Sequence, residues 1–280
     1  MAIIKTNALV VRRLDYSETS QIATLFCPDA GRVDCIAKGS RARWLKPHLR
    51  AKIECPLDTL TLNRVVYYEK RGEALYILSE SEVIHTFVEA RAELGHWHAA
   101  VAVQELALQG IQPGVPNPAL FYAAVRAMVE LARGADWRLA LLDYFARWLV
   151  AEGREPDLSV CAKTGRDLAE ATPVHVGLRD GVAFTKSSAP ATLPGGAVEF
   201  ELDHVLVLRK FLHGVEKPLT EVWLPDWVLL PIVNLLQGLL VEALERYPLS
   251  FRLLRWQERG TRAATTPQHV GTRHAGAAGS

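Results

Sequence analysis

The stretch Thr19–Lys38, TSQIATLFCPDAGRVDCIAK, decides how the first third of the chain is read. Ile22, Thr24 and Phe26 alternate with Ala23, Leu25 and Cys27. After Pro28-Asp29-Ala30-Gly31 the alternation resumes, with Val33, Cys35 and Ala37 against Arg32, Asp34, Ile36 and Lys38. A period of two marks strands. Pro-Asp-Ala-Gly is turn chemistry, with glycine free to take a left-handed conformation. Two strands joined by such a turn form a hairpin.

Similar runs flank it. Asn7–Arg13 is rich in Leu and Val, Glu54–Asn63 carries Leu57, Leu60 and Leu62, and Leu75–Ile84 carries Ile77 and Val83. Pro56 and the Leu57/Leu60 spacing point to a bulge or an edge position. Five strands without an intervening helix must close or be covered to hide their edges. A five-stranded OB-type β-barrel fits, a fold that commonly binds single strands across one face and its loops. An SH3-like barrel fits the count nearly as well.

Beyond His85 the period changes to that of helices. Leu94, Trp97, Val101 and Leu108 mark one expected buried face. Asn117-Pro118 is a helix start, with Asn as cap and Pro in the first turn. Phe121, Val125, Met128 and Leu131 or Ala132 form the next stripe, and Asp136 caps a helix with the stripe Leu141, Phe145 and Trp148. Residues 154–200 follow neither period, apart from a short strand at Val174–Val176, and are expected to form an irregular insertion. Asp203–His213 and Pro231–Tyr247 read as helices. The expected architecture is therefore α+β: a barrel domain at 1–84, then a helical domain at 85–256 carrying the insertion. Residues 257–280 lack any period and are expected to be disordered.

The barrel carries an uneven charge. Lys38–Lys52, KGSRARWLKPHLRAK, holds Lys38, Arg41, Arg43, Lys46, Arg50 and Lys52 with Trp44 among them and no acid. Residues 1–71 carry 13 Lys and Arg against 7 Asp and Glu, a net of +6. The rest carries 19 against 24, a net of −5, which the whole-chain value of +1 conceals. Cations around an aromatic ring suit single-stranded nucleic acid, where charges follow phosphates and the ring stacks on a base. The plain alternative is a solvated surface loop. Arg12 and Arg13, on an adjacent strand, would extend the basic surface.

The chain has no GxxxxGK[ST], HExxH or GxSxG motif, so nucleotide use, zinc proteolysis and serine hydrolysis lack support. The four cysteines, Cys27, Cys35, Cys55 and Cys161, show no CxxC pair. Reduced thiols and the absence of a secretory leader pattern lead to an expectation of a cytoplasmic protein. The most apolar run, Val228–Val241, is broken by Pro231, Asn234 and Gln237 and falls short of the roughly 20 residues a bilayer needs. Cys161 and His175 could share a metal, but structural zinc takes four ligands, so no cofactor is expected.

The run LVVRRLDYSETSQIATLFCPDAGRVDCIAKGSR, Leu9–Arg41, resembles the amino-terminal OB domain of RecO, a family of bacterial recombination mediators. Leu9, Val10, Arg13, Asp15, Tyr16, Glu18, Thr24, Leu25, Phe26, Gly31, Ala37, Lys38, Gly39 and Arg41 carry the likeness. It continues through Asn117–Phe121 and through Pro156–Cys161, which resembles the approach to the family's zinc module. Many members have two cysteine pairs in that module. Here Cys161 stands alone, with Thr164 where its partner would be, a degenerate version expected to fold without metal. The resemblance implies a DNA repair protein that binds single- and double-stranded DNA and anneals complementary strands without ATP. With RecR it would help RecA displace the single-strand-binding protein SSB. It also implies that the SSB carboxy-terminal tail docks on the helical body, where Arg126, Arg133, Arg138 and Arg147 are candidates by residue class.

The leading reading is a non-enzymatic DNA-binding mediator contacting DNA through Arg12, Arg13, Lys38, Arg41, Arg43, Trp44, Lys46, Arg50 and Lys52. The alternative is a protein-interaction scaffold with weak intrinsic DNA binding. A metal-dependent nuclease is disfavoured, because the seven acids of residues 1–71 are dispersed and such chemistry needs them clustered.

Overall fold

The computed structural model describes residues 2–40, 52–53, 57–69, 72, 74–193, 195–254 and 256. The chain opens with a meander of β1 (Ala2–Asp15), β2 (Gln21–Cys27) and β3 (Gly31–Ala37), antiparallel throughout. A short β4 (Lys52–Ile53) precedes two longer strands, β5 (Leu62–Glu69) and β6 (Tyr76–His85). β5 pairs with the other side of β1, and β6 pairs with β5. Cys35–Ala37 of β3 then runs parallel to Tyr76–Leu78 of β6, which links the two ends of the five-stranded sheet. This is an OB-type arrangement. β4 continues along β6 opposite Glu80 and Ser81.

The expected strand at Glu54–Asn63 is not where the fourth long strand lies. That strand is β5, in which Asn63, Val65 and Tyr67 are buried while Arg64, Val66 and Tyr68 are more open. Leu57–Thr61 is a turn instead. Leu60 adopts a left-handed φ of 61°, and its N–H donates to the Val10 carbonyl at 2.8 Å. Two arginines pin the turn from outside: Arg13 Nη1 donates to the Leu57 carbonyl (2.7 Å), and Arg91 donates to Asp58 Oδ2 and the Thr59 carbonyl (both 2.8 Å). Leu57 and Leu60 are buried, as their apolarity implies, but by a turn whose long-range partners no local period reveals.

β1 is a wall shared by two cores. Ala8 and Val10 face the sheet interior with Ala23, Leu25, Val33 and Cys35. Leu9 and Val11 face the helices, together with Phe26, Leu60 and Phe87. Phe26 meets Phe121 edge-on, ring centroids 5.4 Å apart, and Gln104 donates to the Val11 carbonyl. A bulge between Val10 and Arg12 ends this two-sided burial and turns Arg12 and Arg13 outward.

The helical body starts with a short 3-10 turn at Val88–Arg91, then α1 (Leu94–Gly110), α2 (Pro118–Ala132) and α3 (Trp137–Ala151). The caps are local, and they form as the sequence implies: Asn117 Oδ1 accepts from Leu120 N (3.0 Å) and Asp136 Oδ1 from Arg138 N (2.9 Å). The face of α1 differs from expectation. Leu94 is 68% exposed, and the buried residues are Ala99, Ala100, Ala102, Val103, Leu106 and Ala107. Small side chains let α2 and α3 approach closely, so packing selects the alanine face over the bulkier one.

The segment expected to be irregular holds a three-stranded antiparallel sheet, with β7 (Val174–Gly177) between β8 (Ala183–Thr185) and β9 (Ala197–Phe200). Asp180-Gly181 makes the first turn, with Asp180 Oδ1 accepting from Val182 N (3.0 Å). These strands of three or four residues are too short for a period to show. α4 spans Leu202–Leu212. α5 spans Asp226–Leu244, starting five residues earlier than expected and carrying Pro231 inside it. At 19 residues α5 is long and apolar enough to cross a membrane by length and composition. Here Val228, Leu229, Ile232, Leu235, Leu236 and Leu239 bury it in the common core. Residues 257–280, expected to be disordered, lie outside the described residues.

Candidate nucleic-acid and peptide interfaces

Arg12, Arg13 and Lys38 are exposed at one end of the sheet. Arg12 and Arg13 sit opposite Thr24 and Ala23 of β2, and Lys38 directly follows β3. Arg13 is partly engaged, through its bond to Leu57 and a 3.9 Å approach to Asp58. Lys52 begins β4 beside Glu80. Arg41, Arg43, Trp44, Lys46 and Arg50 lie outside the described residues. What the structure establishes is where their segment leaves and returns. β3 ends with Ala37 opposite Leu78, and β4 begins with Lys52 opposite Glu80 on the same strand. Both ends of the six-cation stretch, Ala37 just before it and Lys52 at its close, are thus paired with β6.

The arginines named on the helical body separate into two groups. Arg126 and Arg147 converge on Asp143, a carboxylate with only 1% of its surface exposed. Asp143 Oδ2 accepts from Arg126 Nε (3.0 Å) and Arg147 Nε (2.9 Å). Both guanidiniums also donate to the Val215 carbonyl, and Arg126 reaches that of Lys217. One buried acid holding two cations leaves a net positive charge. Arg133, 60% exposed at its side chain, has Glu130 at 3.5 Å. Arg138 belongs elsewhere: it bridges Asp136 (2.7 Å) and Asp226 (2.9 Å) and ties α3 to α5.

Arg126, Arg133 and Arg147 line one groove of about 630 Å³ between α2, α3 and the end of α4. Its floor is apolar, with Ala123, Val125, Val129, Ala151 and Leu212, Glu130 sets one acid against its three arginines, and Tyr122 and Val150 stand exposed on its rim. A larger cleft of about 1110 Å³ runs past Trp137 and Trp223, but Glu89, Glu93, Asp136 and Asp226 line it against Arg133 and Arg138. Charge therefore decides which of the two suits an acidic ligand: the smaller, cationic groove. An isolated helix reading leaves these arginines as solvated charges. The i, i+4 spacing of Asp143 and Arg147 is the one local signal of the pair, and Arg126 joins only through the α2–α3 contact.

The architecture is thus an OB-type sheet joined to a helical body that carries an apolar groove edged by Arg126, Arg133 and Arg147. Two family models match in tandem, recombination protein O N terminal over residues 1–87 and recombination protein O C terminal over residues 91–251. The chain is similar to proteins described as DNA repair protein RecO. Identity is 31% over 160 residues with that of Rhodopirellula baltica, covering 57% of each chain. It is 34% over 130 residues with that of Salinibacter ruber, covering 46% of this chain and 48% of the relative. It is 29% over 194 residues with that of Anaeromyxobacter sp., covering 68% and 74%. The chain thus spans about half the length of the first two relatives. The chain belongs to the recombination protein O family.

Proposed function

We propose that this chain is a non-enzymatic recombination mediator of the cytoplasm. It binds single- and double-stranded DNA, anneals complementary strands, and with RecR helps RecA onto SSB-coated DNA. The observation that carries the DNA part is the anchoring of Lys38–Lys52 at both ends on β6. Between those ends the sequence carries Arg41, Arg43, Trp44, Lys46 and Arg50, and Arg12 and Arg13 are exposed on β1 of the same sheet. Phosphate neutralisation releases counterions and lets two strands meet, while base pairing itself supplies specificity. The second part, docking of the SSB tail, is supported by the apolar groove edged by Arg126, Arg133 and Arg147. An acidic, hydrophobic peptide matches both its floor and its charge. The need for RecR and RecA rests on family membership.

The test is binding of a fluorescent single-stranded oligonucleotide over a salt series, with annealing of complementary strands measured alongside and no ATP added. Affinity should fall with a log–log slope of about −0.7 per phosphate contact. The triple variant R41A/R43A/K46A should bind more weakly on every sequence and with a shallower slope. Unchanged affinity and slope would remove the basic segment as the site. Absence of binding even at low salt would favour the scaffold reading. For the groove, Arg133→Glu should weaken binding of an SSB-tail peptide at least tenfold while the melting temperature holds. Equal affinity would place that peptide elsewhere.

A further inference from the structure

Cys161 is buried beneath the three-stranded sheet, 1% exposed, and its sulfur is surrounded by hydroxyl groups. Ser188 Oγ lies 3.1 Å from Cys161 Sγ, and Thr185 Oγ1 donates to Ser188 Oγ at 2.8 Å. The Thr185 amide donates to the sulfur at 3.5 Å, and Thr164, on the same turn as Cys161, also favours the thiolate. Burial by itself would raise the pKa of this thiol. The donors from Ser188, Thr164 and Thr185 outweigh it and bring the pKa below the usual thiol range.

The spacing of these four residues is regular. Cys161-Ala-Lys-Thr164 and Thr185-Lys-Ser-Ser188 are two pairs, each with two residues between its members. The backbone repeats as well. Gly165 N donates to the Cys161 carbonyl (2.8 Å), and Ala189 N donates to the Thr185 carbonyl (3.0 Å). Two turns with a matching i→i+4 bond therefore bring Thr185 and Ser188 to Cys161, which two residues separate from Thr164, the spacing by which two C-x₂-C pairs surround a tetrahedral zinc ion. The donors do not suit the ion. Structural zinc takes thiolate, imidazole or carboxylate, and here one thiol faces three neutral hydroxyls. His175 pairs with Phe184 and Glu199 on β7, and no metal-holding group of three or more His, Cys, Asp or Glu exists among the described residues.

We propose that Cys161, Thr164, Thr185 and Ser188 form a metal-free counterpart of a four-cysteine zinc site, in which a hydroxyl network around the sulfur holds the two knuckles together. The module does not need zinc, and it keeps a geometry that accepts zinc once the three hydroxyl residues are replaced by cysteine. The positions of Thr185 and Ser188 come from their convergence on Cys161, and no cysteine marks them in the sequence. The inference is independent of DNA or tail binding.

The full chain is expressed with zinc in the medium, and its metal content and melting temperature are measured with and without EDTA. The expected result is substoichiometric zinc and a melting temperature that the chelator leaves unchanged. One zinc per chain, lost to EDTA with a drop in melting temperature, would overturn the proposal. The T164C/T185C/S188C variant should bind one Zn(II), and with Co(II) it should show the d–d bands of a tetrahedral tetrathiolate. A folded variant without those bands would overturn the preserved geometry. Should that variant fail to fold with or without metal, Thr185→Val and Ser188→Ala decide. Each should lower the melting temperature by about 2–4 °C, the shift about 1 kcal/mol gives in a chain of this size. No shift in either would dismiss the network.

Discussion

His204 supplies the hydrogen bond that Pro231 withholds. Pro231 has no N–H, so the Trp227 carbonyl four residues before it in α5 lacks its helical donor. His204 Nε2 on α4 lies 2.8 Å from that carbonyl oxygen. His204 Nδ1 accepts from the Glu201 N–H at 2.9 Å, which places the ring proton on Nε2. A proline inside a buried helix is thus accommodated by a histidine of the neighbouring helix.

His204→Ala should destabilise the protein by about 1 kcal/mol, because it removes the hydrogen bond to a partly buried carbonyl. In a Pro231→Ala background the same substitution should cost less, since the alanine restores a backbone N–H that can serve the Trp227 carbonyl. A double-mutant cycle followed by urea unfolding reads the coupling. Strict additivity would mean that the two residues act independently.

Gly31 sits where no side chain fits. Its φ is +62°, and a Cβ would lie 2.2 Å from the Val115 carbonyl oxygen and 2.5 Å from that of Gln112. Gly31→Ala should push the β2–β3 turn off the loop after α1 and cost about 3 kcal/mol or more, backbone strain and steric overlap together. Gly39→Ala is the control. With φ +75° and open space around it, it should cost only about 1–2 kcal/mol. Urea midpoints of the two variants distinguish overlap from strain.

Asp143 is the anchor of the groove's cations. Asp143→Asn keeps the shape but leaves two guanidiniums without a counter-charge. It should destabilise by about 2–4 kcal/mol, somewhat less than a fully buried pair, because both arginines retain partial solvent access. Arg147→Ala should cost less, since Arg126 still neutralises the acid. Thermal unfolding of both variants checks the order.

Glu105 makes part of the stability depend on pH. Its partial burial opposes ionisation, but the donors of Ser250 (N–H at 2.7 Å) and Leu249 (3.0 Å), with Arg246 nearby, outweigh this and hold the carboxyl below the usual range. A carboxyl depressed in the folded state stabilises above its unfolded pKa of about 4.3 and loses that contribution as pH falls through the folded value. Wild type should therefore lose stability below about pH 4 more steeply than Glu105→Gln, which should already be weaker at neutral pH. Parallel curves for the two proteins would show that the carboxylate does not act this way.

The parts of this fold legible in the sequence are those made by neighbours along the chain. The hairpin around Gly31 and the caps at Asn117 and Asp136 depend on residues no more than a few positions apart. The same holds for the stripe Leu141, Phe145 and Trp148 on α3, and all formed where their local chemistry implies. The basic stretch Lys38–Lys52 is likewise a property of composition. The most specific part of the family resemblance, Leu9–Arg41, lies within the residues matched by the N-terminal model, and its continuation through Asn117–Cys161 within those matched by the C-terminal one.

The remaining features depend on residues far apart in sequence. The strand β5 and the turn before it are placed by Val10, Arg13 and Arg91. α1 buries alanines because α2 and α3 come close. Asp143 draws Arg126 and Arg147 into one groove only once α2 lies on α3. The second knuckle at Thr185–Ser188 is visible only from its approach to Cys161. Local propensity acts through hydrogen bonds a few residues long, so a sequence displays it directly. Burial, charge pairing and hydroxyl networks act through space, and the packed chain alone selects which partners meet.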